Sequence, residues 1–210
     1  AIRRHGLPVL LANARLSERS ARGYAKAGAL TREMMQNLSV VAAQDQATAS
    51  RFCALGVPSA CVVITGSLKF DIKISAGQTA LAQGWREQHA LCNRPIWVAA
   101  STHQGEDEPM LAAHAQLLQR LPDALLILVP RHPERFQSVA ELIGATGLST
   151  VRRSEQTPVR AETAVWLGDS MGELMSWLAL ADAAFVGGSL VPRGGHNALE
   201  PLALGVPTLT

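Results

Sequence analysis

Short runs of consecutive apolar residues recur along the chain, separated by longer stretches in which apolar positions return every three or four residues. A run that is apolar on both faces suits a strand buried on both sides, and the intervening stretches suit amphipathic helices. The pattern therefore predicts βα units around a parallel sheet covered on both faces. Strands are predicted near Val9 to Asn13, Ser39 to Ala43, Cys61 to Thr65, Ile96 to Ala100, Leu125 to Val129, Ala164 to Leu167 and Ala183 to Val186, with a last one opening at Pro207.

Caps and faces locate the helices. Asp45 is a natural N-cap for a helix ending near Leu55, because Gly56 can take the left-handed conformation and Pro58 stops the run. Pro109 to Leu121 offers Leu111, His114, Ala115, Leu118 and Leu121 on one face. A third helix is predicted from Pro133 to Ala145, with Glu134 in its first turn and Gly147 beyond its end. Between Gly66 and Ser75 a glycine turn passes into a mixed, non-periodic stretch, which predicts a domain boundary there. Ala1 is not a start methionine, and the chain stops inside the strand-like Val206-Pro-Thr-Leu-Thr210, so the sequence reads as a piece of a longer protein.

Composition narrows the function classes. Of the 210 residues, 48% are hydrophobic and 17% charged, enough apolar surface for a packed core. Net charge is +2 with no basic run, so no nucleic-acid partner is indicated. Cys53, Cys61 and Cys92 cannot all pair within the chain and lack zinc-ligand spacing, which suits a reducing compartment. Apolar runs such as Ala124 to Pro130 fall far short of the roughly 20 residues that span a bilayer.

The predicted strand ends carry the polar residues. Val186-Gly-Gly-Ser-Leu-Val-Pro-Arg-Gly-Gly-His-Asn-Ala-Leu-Glu-Pro201 is a strand, a glycine-rich loop and a helix start, an arrangement suited to phosphate, with Glu200 placed to accept ribose hydroxyls. A tight packing turn is the competing account. In Val129-Pro-Arg-His-Pro-Glu-Arg135, Arg131 follows directly on a buried strand, where ligands of open sheets arrive, and it can grip phosphate in a fork; surface pairing with Glu134 competes, and more strongly for Arg135. At Gly168-Asp-Ser-Met-Gly-Glu173 a strand passes into a helix predicted to start near Ser170, capped by Asp169 or Ser170 with Glu173 completing the box. In Ala100-Ser-Thr-His103 the hydroxyls of Ser101 and Thr102 can donate to an anion and His103 can act as acid, base or donor, though a solvated histidine is the plainer account. Glu106, Asp107 and Glu108 match a helix dipole. Lys69 can hold a leaving phosphate or pair with Asp71, and His5, His89 and His114 read as ordinary.

In this order the segments, with Thr65-Gly-Ser-Leu-Lys-Phe-Asp71 and Asn13-Ala-Arg-Leu-Ser17, resemble the bacterial 3-deoxy-D-manno-octulosonic acid (Kdo) transferases over essentially the whole chain. The resemblance implies an α/β fold of the GT-B glycosyltransferase type. Residues 1–69 would be the C-terminal part of the acceptor domain, and residues 70–210 a Rossmann-like nucleotide-sugar domain truncated at its end. It implies inverting, metal-independent transfer of Kdo from CMP-Kdo to a lipid A precursor, lipid IVA, without a cofactor, in lipopolysaccharide synthesis at the cytoplasmic face of the inner membrane of a Gram-negative bacterium. Membrane association, peripheral or anchored, would come through the part preceding this chain. The family's CMP contacts fall on Pro130, Arg131, Met171, Gly172, Glu173, Asn197, Ala198, Leu199 and Glu200, and Lys69 matches its transition-state stabiliser. Ser101, Thr102, His103, Arg193 and His196 are further candidate contacts to sugar or phosphate.

Two departures accompany the resemblance. Ala198 stands where the family commonly has proline, and the family's general base lies in an earlier part of the acceptor domain, so this chain alone is expected not to turn over. Other readings are a UDP-sugar transferase or a 2-epimerase of UDP-N-acetylglucosamine on the same fold, or a non-catalytic nucleotide-binding module.

Overall fold

The computed structural model describes residues 6–210, so His5 lies outside the described residues. The chain forms two compact units, Ala1–Asp71 and Ile72–Thr210.

In the first unit, β1 (Leu10–Ala14), β2 (Val40–Ala43) and β3 (Val62–Ile64) form a parallel sheet in that order, with helices α1 (Glu18–Lys26), α2 (Gly28–Met35) and α3 (Gln46–Ala54) between them. Met35, Val41, Phe52, Leu55 and Val57 form its core. The α3 start follows from its cap: Asp45 Oδ1 accepts the Thr48 N–H at 2.6 Å, a bond of a kind that contributes about 1 kcal/mol. Its end follows from Gly56, which takes a φ of 110°.

The second unit is a six-stranded parallel sheet. Its strands are β4 (Ile96–Thr102), β5 (Leu125–Pro130), β6 (Thr150–Arg152), β7 (Val165–Leu167), β8 (Ala183–Val186) and β9 (Thr208–Leu209), in the order β6-β7-β5-β4-β8-β9. Helices α4 (Ala76–Gln88), α5 (Asp107–Leu118), α6 (Phe136–Ala145), α7 (Leu174–Leu180) and α8 (Leu199–Ala203) connect them. The unbroken apolar run in β5 reflects burial on both faces. Leu125, Ile127 and Val129 join one core with Trp85 of α4 and Trp177 of α7, while Leu126 and Leu128 join the other with Leu111 of α5 and Ile143 of α6. Each such side chain contributes about 1.5–3 kcal/mol when fully buried. His114 is part of this interior: it is fully buried, takes the Trp97 indole N–H on Nδ1 at 3.0 Å and meets the Ala164 carbonyl through Nε2 at 2.8 Å.

This is the doubly wound, Rossmann-like α/β architecture that the sequence pattern predicts, with three local differences. β6 was not predicted, because Thr-Val-Arg offers a single apolar residue. The helix predicted over 133–145 divides into a 3-10 turn, Pro133–Arg135, and α6. The helix predicted from Ser170 starts at Leu174 with no side-chain cap, because the Asp169 and Glu173 carboxylates bond elsewhere.

The strand order also locates a crevice. From β4 the chain moves to one side to reach β5, yet β8 joins on the other side of β4, so the carboxyl ends of β4 and β8 flank the topological switch point where open sheets of this kind bind ligands.

Candidate functional site

The segments that leave β4 and β8 meet at this switch point. Gly187 packs against the β4 end so closely that a Cβ there would come 2.3 Å from the Ser101 carbonyl oxygen. Ser101 itself has a φ of 56°, where the β4–β5 register shifts. Beyond Gly187, the N–H groups of Gly188, Ser189 and Leu190 all donate to the buried carboxylate of Glu106, at 2.9, 3.1 and 3.1 Å to Oε1, and the His103 N–H donates to Oε2 at 2.8 Å. Burial alone would raise the Glu106 pKa, but the hydrogen bonds from Gly188, His103 and Leu190 together outweigh it and hold the group below the ordinary glutamate range.

This changes two readings of the sequence. Glu106 is not a surface partner of a helix dipole, and these N–H groups of the glycine loop are not free for a phosphate, because a carboxylate from within the fold occupies them. The neighbouring Asp107 is also internal. It accepts from Thr102 Oγ1 at 2.6 Å and pairs with Arg135, whose Nη1 reaches the Thr102 carbonyl at 2.8 Å. Thr102, fully buried, is therefore structural rather than a donor to ligand.

Around these loops lies a set of partly or fully exposed side chains. His103 Nε2 and His196 Nε2 lie 2.6 Å apart with their rings stacked, so one nitrogen donates and the other accepts, and His132 packs 5.5 Å from His103. Burial, with the His196 ring beside it, depresses the His103 pKa. Burial, then the Arg131 charge, depresses that of His196, against an opposing pull from Glu200. Both imidazoles are thus held toward the neutral form, and the shared contact requires that at least one of them be neutral. The charges of Arg131 from the β5 tip and Glu200 from the first turn of α8 both act on His196, and that of Arg193 acts on His103. Asn197 Oδ1 accepts the Leu199 N–H at 3.3 Å next to Ala198, the α8 N-cap residue.

Beyond β5, at the end of β7, the Gly168–Glu173 loop is held from outside itself. Asp169 accepts from Arg152 Nε at 2.8 Å and from the Ser154 N–H and hydroxyl at 2.8 and 2.6 Å. Glu173 accepts from Arg153 Nε at 3.2 Å, from Arg153 Nη2 at 2.9 Å and from the Ser170 hydroxyl. Met171, between them, is 63% exposed. Pro130 is buried at the end of β5. Lys69 lies in the first unit, in the 3-10 turn Leu68–Phe70, and among the described residues it forms no ion pair with Asp71. The residues missed by sequence reasoning, Arg152, Arg153 and Ser154, carry no motif, and only the contacts of β6 reveal them.

The model of the 3-deoxy-D-manno-octulosonic-acid transferase (kdotransferase) family matches residues 1–72. The solved C-terminal CMP-Kdo binding domain of WaaA from Acinetobacter baumannii is 45% identical, with a TM-score of 0.62, over 64% of this chain and 70% of that one. The chain belongs to the Kdo transferase family. A Kdo transferase of Haemophilus influenzae is 46% identical over 208 residues, which is 97% of this chain and 48% of the relative, so the chain spans about half the length of the curated relatives it matches. The fold is shared more widely. UDP-GlcNAc 2-epimerase from Neisseria meningitidis aligns with all of this chain and 53% of its own at 14% identity and a TM-score of 0.57. Among the described residues of this family member, no helix is long and apolar enough to cross a membrane.

Proposed function

We propose that the chain carries the nucleotide-sugar half of a Kdo transferase, which moves Kdo from CMP-Kdo to a lipid A precursor, lipid IVA, in lipopolysaccharide synthesis. The observation that carries this reading is the 45% identity with a CMP-Kdo binding domain, combined with the Arg131 and Glu200 charges that both act on His196 beside the switch point. Residues 70–210 are the donor domain on this reading, and residues 1–69 belong to the acceptor domain.

Each proposed contact has a chemical reason. Arg131, exposed at the β5 tip, grips the phosphate of CMP, and Glu200 accepts the ribose hydroxyls. The loop bearing Met171 and Gly172 meets the nucleotide through backbone and apolar surface, and Pro130, Asn197, Ala198 and Leu199 complete the seat. His103, His196 and Arg193 face the sugar and phosphate. In the reaction the acceptor hydroxyl attacks the anomeric carbon of Kdo and loses its proton to a base, the glycosidic bond to CMP breaks, and the phosphate leaves with the electron pair and inverted stereochemistry behind it. Arg131 stabilises the charge that grows on that phosphate, an effect worth about 3 kcal/mol for a single well-placed donor, and Lys69 is the proposed transition-state stabiliser from the first unit. No residue of this chain is assigned as the base. The cytoplasmic face of the inner membrane, where both substrates of such an enzyme meet, is the proposed place of action, with peripheral or anchored membrane association through the rest of the protein.

Separate calorimetric titrations of CMP, UMP and UDP into the intact protein test the reading. CMP is expected to bind most tightly, and Arg131→Ala to weaken it at least tenfold, about 1.4 kcal/mol. Preference for the uridine nucleotides favours a UDP-sugar enzyme on the same fold, and unchanged CMP affinity in the variant removes Arg131 from the site.

A further inference from the structure

The end of β6 and the turn that follows it grip both ends of the Gly168–Glu173 loop with adjacent residues. Arg152 and Ser154 hold Asp169, and Arg153 holds Glu173. The Arg153 guanidinium is itself fixed, because it lies 5.0 Å from the centre of the Trp85 ring, and Trp85 is buried and stacked on Trp177 at 4.2 Å. An aromatic face beneath a guanidinium and a two-point carboxylate at its edge leave the arginine little freedom.

Glu173 is committed in turn. Oε1 takes Arg153 Nη2, and Oε2 takes both Arg153 Nε and the Ser170 hydroxyl. A carboxylate with three donors from its own fold has little capacity left for a ligand, whereas Met171, two residues before it, is exposed.

We infer that Arg153 is a positioning residue that acts through Glu173: the pair closes the loop so that Met171 and Gly172 are presented to the nucleotide, and the Glu173 carboxylate is the clasp rather than a side-chain contact to CMP. This rests on the reading that the loop seats CMP. A loop ordered before binding does not have its ordering cost subtracted from the affinity, which is how a residue without ligand contact raises binding.

The test uses the intact protein and two readouts. Amide hydrogen exchange at Met171 to Glu173 is measured without nucleotide, and CMP titration is measured on wild type, Arg153→Gln, Arg153→Lys, Glu173→Gln and the Arg153→Gln/Glu173→Gln double variant, each with its melting temperature. Exchange at the loop is expected to rise in Arg153→Gln. CMP affinity is expected to fall about tenfold in each single glutamine variant and no further in the double, with Arg153→Lys recovering part of it because charge over Trp85 survives while the fork is lost. Unchanged loop exchange in Arg153→Gln overturns the inference, and so does a double variant that loses the product of the two single effects, since Glu173 would then touch CMP independently. Should Arg153→Gln not fold, Arg153→Lys and Glu173→Gln carry the same two readouts, and native loop exchange in both overturns it. If loop exchange rises but wild type binds no CMP, the clasp stands and the CMP reading falls.

Discussion

Two loops at the same edge of one sheet are held in opposite ways. The glycine loop after β8 is held by its backbone, with three successive N–H groups turned inward onto Glu106, while Arg193 and Asn197 are exposed and His196 is half-buried against His103. The loop after β7 is held by its side chains, with Asp169 and Glu173 tied to the β6 turn, and its backbone at Met171 and Gly172 is left for other partners. The comparison teaches that a glycine-rich loop at a switch point is not by itself a phosphate cradle. Where a buried carboxylate already fills the cradle, the loop's rigidity serves to aim side chains. A nucleotide that bridges the two loops would meet charge and hydrogen-bonding side chains on one and main chain on the other.

The largest expected effect breaks the first attachment. Glu106→Ala leaves the Gly188, Ser189, Leu190 and His103 N–H groups without their acceptor and is expected to cost at least about 3 kcal/mol in urea unfolding, with Glu106→Gln recovering part through its amide oxygen. A loss below about 1 kcal/mol would mean that the backbone attachment is not what orders this loop.

Next comes the tightness of approach at the root of each loop. A Cβ at Gly187 meets the Ser101 carbonyl oxygen at 2.3 Å, which is backbone and cannot move aside, whereas at Gly168 it meets Val129 Cγ2 at 2.9 Å and the Trp177 indole nitrogen at 3.3 Å, which are side chains. Gly187→Ala is therefore expected to destabilise by about 2–3 kcal/mol and Gly168→Ala by about 1 kcal/mol, read as melting temperatures, and the reverse order would deny that β4 and β8 are the tighter junction.

Acidification separates the loops more gently. Glu106 titrates below its ordinary 4.5 in the fold, so its stabilisation is complete above pH 4.5 and is lost as pH falls through the folded value. His103 and His196 are depressed below 6.5, so the unfolded chain takes up protons that the fold refuses once pH drops below 6.5, and stability begins to fall there. Asp169, where burial raises the pKa but the bonds from Ser154 and Arg152 lower it further, is depressed below 3.8 and holds until pH falls under that value. Protection of the Gly188 to Leu190 amides, taken relative to their intrinsic exchange at each pH, is thus expected to fall once pH drops below 6.5, before protection at Met171 to Glu173 falls. Because His89 and His114 are depressed too, the local readout decides where a global melt does not. Asp169→Asn sharpens the contrast with the smallest effect: it keeps an acceptor for Ser154 but leaves Arg152 only the more distant Glu155 carboxylate at 4.0 Å, and a loss of about 1 kcal/mol with no change at the glycine loop is expected.

Much of this architecture was legible before any coordinates. The run Leu125 to Pro130 could only be a strand covered on both faces, Asp45 and Gly56 marked the two ends of α3, and the polar clusters at Ala100 to His103, Arg131, Gly168 and Gly187 each followed an apolar run, which puts them at one edge of a parallel sheet. Periodicity and capping are local, so the sequence by itself determines them. Local reasoning failed where a side chain's partner is remote. Glu106 reads as one acid in an acidic helix start, yet its partner Gly188 is 82 residues away, and His103 and His196 are 93 residues apart.

The same limit explains β6 and its turn. Three residues with one apolar side chain have no period to detect, and Arg152, Arg153 and Ser154 acquire their roles only because β6 lies beside β7, whose own loop supplies Asp169 and Glu173. The sequence alone determined every strand but β6, the cap of α3, the resemblance to the family and the edge on which the polar residues collect. The tertiary structure decided which carboxylate fills which cradle and which arginine holds which loop, because those pairings depend on strand order, and strand order brings together groups that no local spacing connects.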